Sequence, residues 1–299
     1  MVKVTAENLT QRMPPHLWFV GSAVFHYLGP SFAVLLFSRV PVGGVAWLRI
    51  VSAGLVFSIW RQPWKTFLSC DRQTRRLILA LGFVFAIMNY TFYLAIERLP
   101  LGTVAAIEFV GPIALALTGS RTRRNLVALV LAVTGVYLLT DVRFAGDPAA
   151  FGWAFANAAL FTLYIVLAHA LARSDAANNP VDRLAAAMVV AAVVITPLGF
   201  VDAAPALLDG IALIGGIGVG ITSSVIPYVF DQMAMTRLSR ATYSLFTALL
   251  PATAVIVGVV VLTQIPQPVE ALAVALVIVG VLIHREPPDQ AGSQKWQGR

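Results

Sequence analysis

The chain has 299 residues, 59% of them hydrophobic and 12% charged, against roughly 25% charged in a soluble domain. Its net charge of +7 would point to nucleic acid only if the basic residues shared one folded patch, and they are scattered between apolar runs. A soluble enzyme, a nucleic-acid-binding protein and, with Cys70 as the single cysteine, any intrachain disulfide or multi-thiolate metal site are excluded.

In chain order, a polar start over residues 1–16 is followed by ten apolar runs at 17–38, 42–60, 77–96, 101–119, 126–140, 149–171, 184–201, 211–235, 241–263 and 269–284, then a polar tail over 285–299. Hydrocarbon offers no hydrogen bonds to the backbone, so a spanning segment satisfies its own, and uncharged runs of this length predict helices rather than barrel strands. The fifth and tenth runs are short enough to read as re-entrant, but topology and repeat symmetry favour spanning. The first run is too long for the apolar core of a signal peptide. Cys70, among charged residues in a connection, reads as a solvated loop cysteine.

Alternating ten spans across a bilayer sorts the 21 Lys and Arg residues 17 to the side of the termini and 3 (Arg39, Arg98 and Arg143) to the other, with Arg49 inside the second span. The basic side is cytoplasmic, so both termini are predicted there, in the inner membrane of a cell.

The sequence also repeats. Ala95, Arg98, Leu99, Thr103 and Pro112 recur as Ala234, Arg237, Leu238, Thr242 and Pro251, each shifted by 139. Trp18 with Trp153 and Arg49 with Arg183 match at shifts near 135, and Gly135 matches Gly280. Five spans per half is odd, so the second half, 149–284, enters from the opposite face to the first, 17–140. The expected fold is an all-α integral membrane protein of ten helices in two inverted five-helix repeats, an architecture that places a substrate near the midplane between the halves.

The run Met88-Asn89-Tyr90-Thr91-Phe92-Tyr93, then Leu99-Pro100-Leu101-Gly102 and Ala106-Ile107-Glu108-Phe109-Val110-Gly111-Pro112, resembles the threonine/homoserine exporter (RhtA-type, EamA domain) branch of the drug/metabolite transporter superfamily. Ile226-Pro227-Tyr228, Asp231, Leu238 and Arg240-Ala241-Thr242 are similar to the matching region of the second half. The resemblance implies a bacterial inner-membrane carrier that exports amino acids using the proton gradient. Two departures are visible: Leu250 precedes Pro251 where the branch has an acidic residue, and Asp231 stands in place of a longer Glu.

Within the spans, Glu108 is the most informative residue, because a carboxylate at that depth costs roughly 2.5 to 3.5 kcal/mol. It reads either as a cavity group that alternately binds a proton and a substrate ammonium, or as a structural acid bonded to Asn89 or Tyr93. Asn89 and Tyr93 share a helix face, with Tyr90 about 100° away; they line a cavity or bond between helices. Arg49 cannot neutralise itself and binds a substrate carboxylate, pairs with Glu108, or snorkels outward. Asp231 is an inner gate or proton-uptake residue, or an interfacial carboxylate near Arg237 or Arg240. Pro112, Pro227 and Pro251 bend helices and free backbone groups.

Gly215-Gly216-Ile217-Gly218-Val219-Gly220 lies in an apolar span without a preceding strand, so it signals close helix packing rather than a nucleotide loop. His16, His26, His169 and His284 show no paired ligand spacing, and His26 reads as a core hydrogen-bonding group rather than a proton relay. No metal or organic cofactor is expected, only the proton gradient, the bilayer and a small-molecule cargo; nothing fixes an oligomeric state. The alternative within the same fold is a different cargo, such as a cationic drug, a nucleobase or another metabolite. An intramembrane enzyme lacks the nucleophile and base it would need, and a structural protein has no use for Glu108.

Overall fold

The structure, a computed structural model of the chain, describes residues 15–111, 122–143, 147–174, 179–236 and 249–283. Among them every regular element is helical: α1 (Pro15–Leu36), α2 (Val42–Arg61), α3 (Pro63–Ser69), α4 (Arg72–Ile96), α5 (Leu101–Glu108), α6 (Arg123–Arg143), α7 (Pro148–Arg173), α8 (Pro180–Ala203), α9 (Gly210–Gly220), α10 (Ile226–Met235), α11 (Leu249–Leu262) and α12 (Pro268–Ile283). Helix α8 tightens into a 3-10 turn, Ala204–Leu208, and a π turn, Ile221–Val225, joins α9 to α10 without a break.

Six of the described segments are long and apolar enough to cross a bilayer: α1, α2, α4, α7, α8 with its 3-10 extension, and α9 through α10. The short fifth run lies within α6, whose 21 residues measure about 31 Å. Several helices begin before their apolar runs because polar caps start them. Asp71 accepts from Thr74 N and Gln73 N, Asp147 from Ala150 N, Asn179 from Val181 N, and Asp209 from Ile211 N and Ala212 N. Leu55, Ile59, Val193, Val201, Ile214 and Val260 point outward, an apolar surface suited to lipid.

Helix pairs form across the two sequence halves. α2 packs on α8, α6 on α12, α1 along α9 and α10, α4 along α7, and α5 on α11. Surface ion pairs also cross: Arg61–Asp182 at 2.5 Å joins the end of α2 to the start of α8, while Arg39–Asp209 at 3.6 Å and Arg98–Asp147 at 2.7 Å lie at the opposite face. The Arg98 guanidinium, with the Ala150 amide, holds the Asp147 carboxyl below the usual range.

Cys70 differs from the sequence expectation. It is buried, with Sγ 3.4 Å from the Phe67 carbonyl oxygen. Arg75 folds back over the end of α3, donating to the carbonyls of Phe67, Leu68 and Cys70, and so closes this connection over the thiol.

The glycine face of α9 behaves as its spacing predicts. A Cβ on Gly216 would meet Leu48 Cδ1 at 2.8 Å, and one on Gly220 would lie 2.7 Å from the Arg49 carbonyl oxygen and closer still to Ser52 Oγ. Gly218, on the other face, has open space. Gly220→Ala therefore forces α9 off α2 and destabilises the protein by about 1–3 kcal/mol, whereas Gly218→Ala is neutral or stabilising; thermal unfolding of the two variants in detergent separates them.

Candidate functional site

Pro227 has no N–H, so the carbonyl one helical turn earlier, that of Ser223, loses its ordinary donor. Arg49 supplies the replacement: its Nη2 donates to Ser223 O at 2.7 Å and its Nε to Ser224 Oγ at 2.9 Å. The guanidinium also lies 5.3 Å from the centroid of the Tyr93 ring, within cation–π range. With 2% of its surface exposed, Arg49 does not snorkel. It forms no ion pair with Glu108 among the described residues, although both border the same cavity.

Glu108 ends α5 and is buried. Its Oε1 accepts from Asn157 Nδ2 at 2.5 Å and its Oε2 from the Tyr27 hydroxyl at 3.3 Å. Neither Asn89 nor Tyr93 takes this role. Asn89 donates to the Phe85 carbonyl at 2.7 Å and to the Tyr228 hydroxyl at 3.4 Å. The sequence pattern does not single out Tyr27 or Asn157. Asn157 had a usable signal, an amide inside an apolar run; a lone tyrosine does not stand out.

Asp231 is 1% exposed, and Arg237 and Arg240 lie outside the described residues. Three donors converge on it: Ser22 Oγ at 2.5 Å on Oδ1, and His26 Nε2 at 2.9 Å with the Tyr164 hydroxyl at 2.8 Å on Oδ2. The Ser22 hydroxyl also lies 3.1 Å from Pro227 O.

His26, Tyr27, Pro30, Arg49, Met88, Asn89, Phe92, Glu108, Asn157, Phe161, Tyr228 and Leu250 line a cavity of about 30 Å³ between the halves. That is room for a water or two and too little for an amino acid. Tyr93 supports it from behind Arg49, while Tyr90 is half-buried, with an edge facing Gly43 of α2, and is not among the lining residues. Pro251 is buried in α11. Pro112 lies outside the described residues, as do Arg237, Leu238 and Thr242 of the second repeat copy. A larger cavity of about 330 Å³, bordered by Arg98, Pro100, Gln264 and Glu270, opens at the face of the Arg98–Asp147 pair. Among the described residues no cluster of His, Cys, Asp and Glu is arranged to hold a metal ion.

The model of the EamA-like transporter family matches residues 149–284. The chain is 31% identical over 271 residues to the threonine/homoserine exporter RhtA of Salmonella typhimurium strain SL1344, covering 87% of this chain and 88% of that protein. It is 32% identical over 254 residues to the protein of the same name in Escherichia coli K12, covering 84% of each. A crystal structure 18% identical in sequence superposes with a TM-score of 0.60 over 90% of this chain and 95% of its own, a likeness of fold.

The shared carbonyl yields a test. Arg49→Met takes from Ser223 O the donor that stands in for the missing Pro227 N–H and costs about 1–3 kcal/mol, while Pro227→Ala offers an N–H to that carbonyl. Combining the two is therefore less destabilising than the sum of the single changes, a coupling that a double-mutant cycle of detergent unfolding measures.

Proposed function

Since the chain belongs to the EamA-like transporter family, in the threonine/homoserine exporter branch, we propose that it is a proton-coupled secondary exporter of small neutral amino acids like threonine and homoserine. One observation carries the cargo: the cavity between the halves is bordered by one carboxylate, Glu108, and one guanidinium, Arg49. A zwitterion offers the complement of that pair, its ammonium to Glu108 and its carboxylate to Arg49. Asn157 Oδ1 is buried without a donor beside Glu108 and is ready to accept from the same ammonium group. Phe92, Phe161 and Tyr228 supply the apolar wall.

In this reading ten spans form two inverted halves in the inner membrane, with both termini cytoplasmic. The basic-residue asymmetry supports the orientation. The cross-half pairing supports the repeat: α1 with α9 and α10 has its counterpart in α7 with α4, while α2 with α8 and α6 with α12 each pair corresponding helices. A cavity too small for an amino acid admits cargo only when the halves rock apart, first on the cytoplasmic side and then on the outer side. Leu250, in the wall where the branch has an acid, keeps a second reading with another small cargo in view.

Reconstituted into liposomes under an imposed pH gradient, the native protein is expected to concentrate labelled threonine and homoserine without nucleotide. Glu108→Gln lowers that transport at least about thirtyfold, equivalent to about 2 kcal/mol for removing one partner of a buried charge pair. A native protein that moves neither amino acid overturns the cargo, and undiminished transport by the variant overturns the role of Glu108.

A further inference from the structure

Two buried carboxylates stand at the interface between the halves, and their partners differ in kind. Glu108 takes its shorter hydrogen bond from Asn157, an amide that neither gains nor loses a proton. Asp231 is bonded to His26, the side chain type whose charge changes near neutral pH. The exposures differ too: the His26 side chain is 13% exposed and borders the cavity, while Asp231 is 1% exposed behind it. Asp231 is held by further donors that cannot easily leave. Tyr164 is wedged among the rings of Phe85, Phe161 and Tyr228, with centroids 5.4 to 5.7 Å away, and Ser22 comes from α1 itself.

We infer that the coupling proton is carried by the His26–Asp231 pair, while Glu108 with Asn157 reads the cargo. This assignment rests on the exporter function proposed above and divides between two sites the roles that the sequence alone gave to Glu108. With Asp231 ionised, Nε2–H of His26 is the donor to Oδ2, and an arriving proton binds the other ring nitrogen, Nδ1. The resulting imidazolium is balanced by Asp231 on one side and adds positive charge to the cavity on the other. The groups facing the pair are Tyr27 of α1, Arg49 of α2, Glu108 of α5, Tyr164 of α7 and Tyr228 of α10; Arg49 is the fixed charge among them and Glu108 the other acid. A cargo ammonium at Glu108 and a proton on His26 therefore repel each other across one small cavity. Mutual exclusion of proton and cargo is the condition for exchanging one for the other across a membrane.

The test separates two activities of the reconstituted protein. Counterflow of labelled against unlabelled threonine at equal pH moves no net proton, whereas accumulation under a pH gradient requires one. His26→Gln and Asp231→Asn are both expected to lose concentration by the gradient, and Asp231→Asn, behind the cavity wall, to keep counterflow within about threefold of native, while Glu108→Gln loses both. Retained counterflow also certifies that the Asp231 variant is folded. Gradient-driven accumulation by the His26 or Asp231 variant, or loss of counterflow by Asp231→Asn matching that of Glu108→Gln, overturns the proposal. If the native protein exchanges neither amino acid, the cargo reading fails, and the pair is judged by nitrogen NMR of histidine-labelled protein. The His26 ring, assigned with His26→Gln, must change protonation as the pH is varied and respond to Asp231→Asn; a ring fixed in one state overturns the proposal.

Discussion

A backbone carbonyl deprived of its helical donor inside a bilayer has no water to turn to, and the rest of the interface follows from where this one turns. Pro227 deprives Ser223 O, and Arg49 from the other half of the chain answers it. One contact thus serves two costly groups, a buried guanidinium that cannot discharge and a carbonyl that has lost its α-helical donor to Pro227. It also fixes α2 against the π turn and sets Arg49 at the edge of the cavity. The close approach required is possible because α9 turns glycines toward α2, where a Cβ at Gly220 would strike the Arg49 backbone itself. Small residues on one helix and a cation on its neighbour are therefore one structural device.

The same accounting governs the acids. Hydrocarbon penalises an unsatisfied carboxylate, and the two acids at the cavity carry donors brought from another part of the chain: Asn157 and Tyr27 for Glu108, His26, Ser22 and Tyr164 for Asp231. Every one of these bonds joins different helices, and several join the two halves. A movement of the halves must therefore break or exchange them, and charges offered by cargo or proton can compensate. Surface pairs such as Arg98–Asp147, open to solvent, add little to this and serve to align helix ends.

Much of the fold was legible in the sequence because hydrophobic length and basic-residue bias are direct consequences of bilayer physics. The glycine face of α9 was legible for a similar reason, since spacing decides which face packs. Helix starts were not, because caps such as Asp71 and Asn179 lie outside the apolar runs. Cys70 reads as solvated in the sequence because Arg75, five residues on, caps the connection from a distance that composition does not encode. The site was half legible: Glu108, Asn89, Arg49 and Asp231 stand out as polar residues in apolar surroundings. Their partners were not, because Tyr27, Tyr164 and Ser22 are ordinary in a membrane helix and acquire meaning only when α1, α7 and α10 meet.

The geometry at the cavity bears on how the halves can exchange places. On the proposed inverted repeat, Asn89 and Tyr228 occupy equivalent positions, separated by 139 residues, and they hydrogen-bond to each other; equivalent residues that touch would lie beside the axis relating the halves. At the same shift Asp231 corresponds to Phe92, and at the shift of Trp18 to Trp153, His26 corresponds to Phe161. Both phenylalanines border the cavity. On the proposed two-fold relation, the scaffold is nearly symmetric but its chemistry is one-sided. In the proposed exchange of conformations between the halves, the His26–Asp231 pair of α1 and α10 passes into the arrangement of Phe161 and Phe92, and no second polar pair forms to compensate. Under the proposed coupling, two states that a symmetric scaffold would leave equal in energy differ by the protonation of that polar pair, and the proton gradient supplies the direction of the cycle.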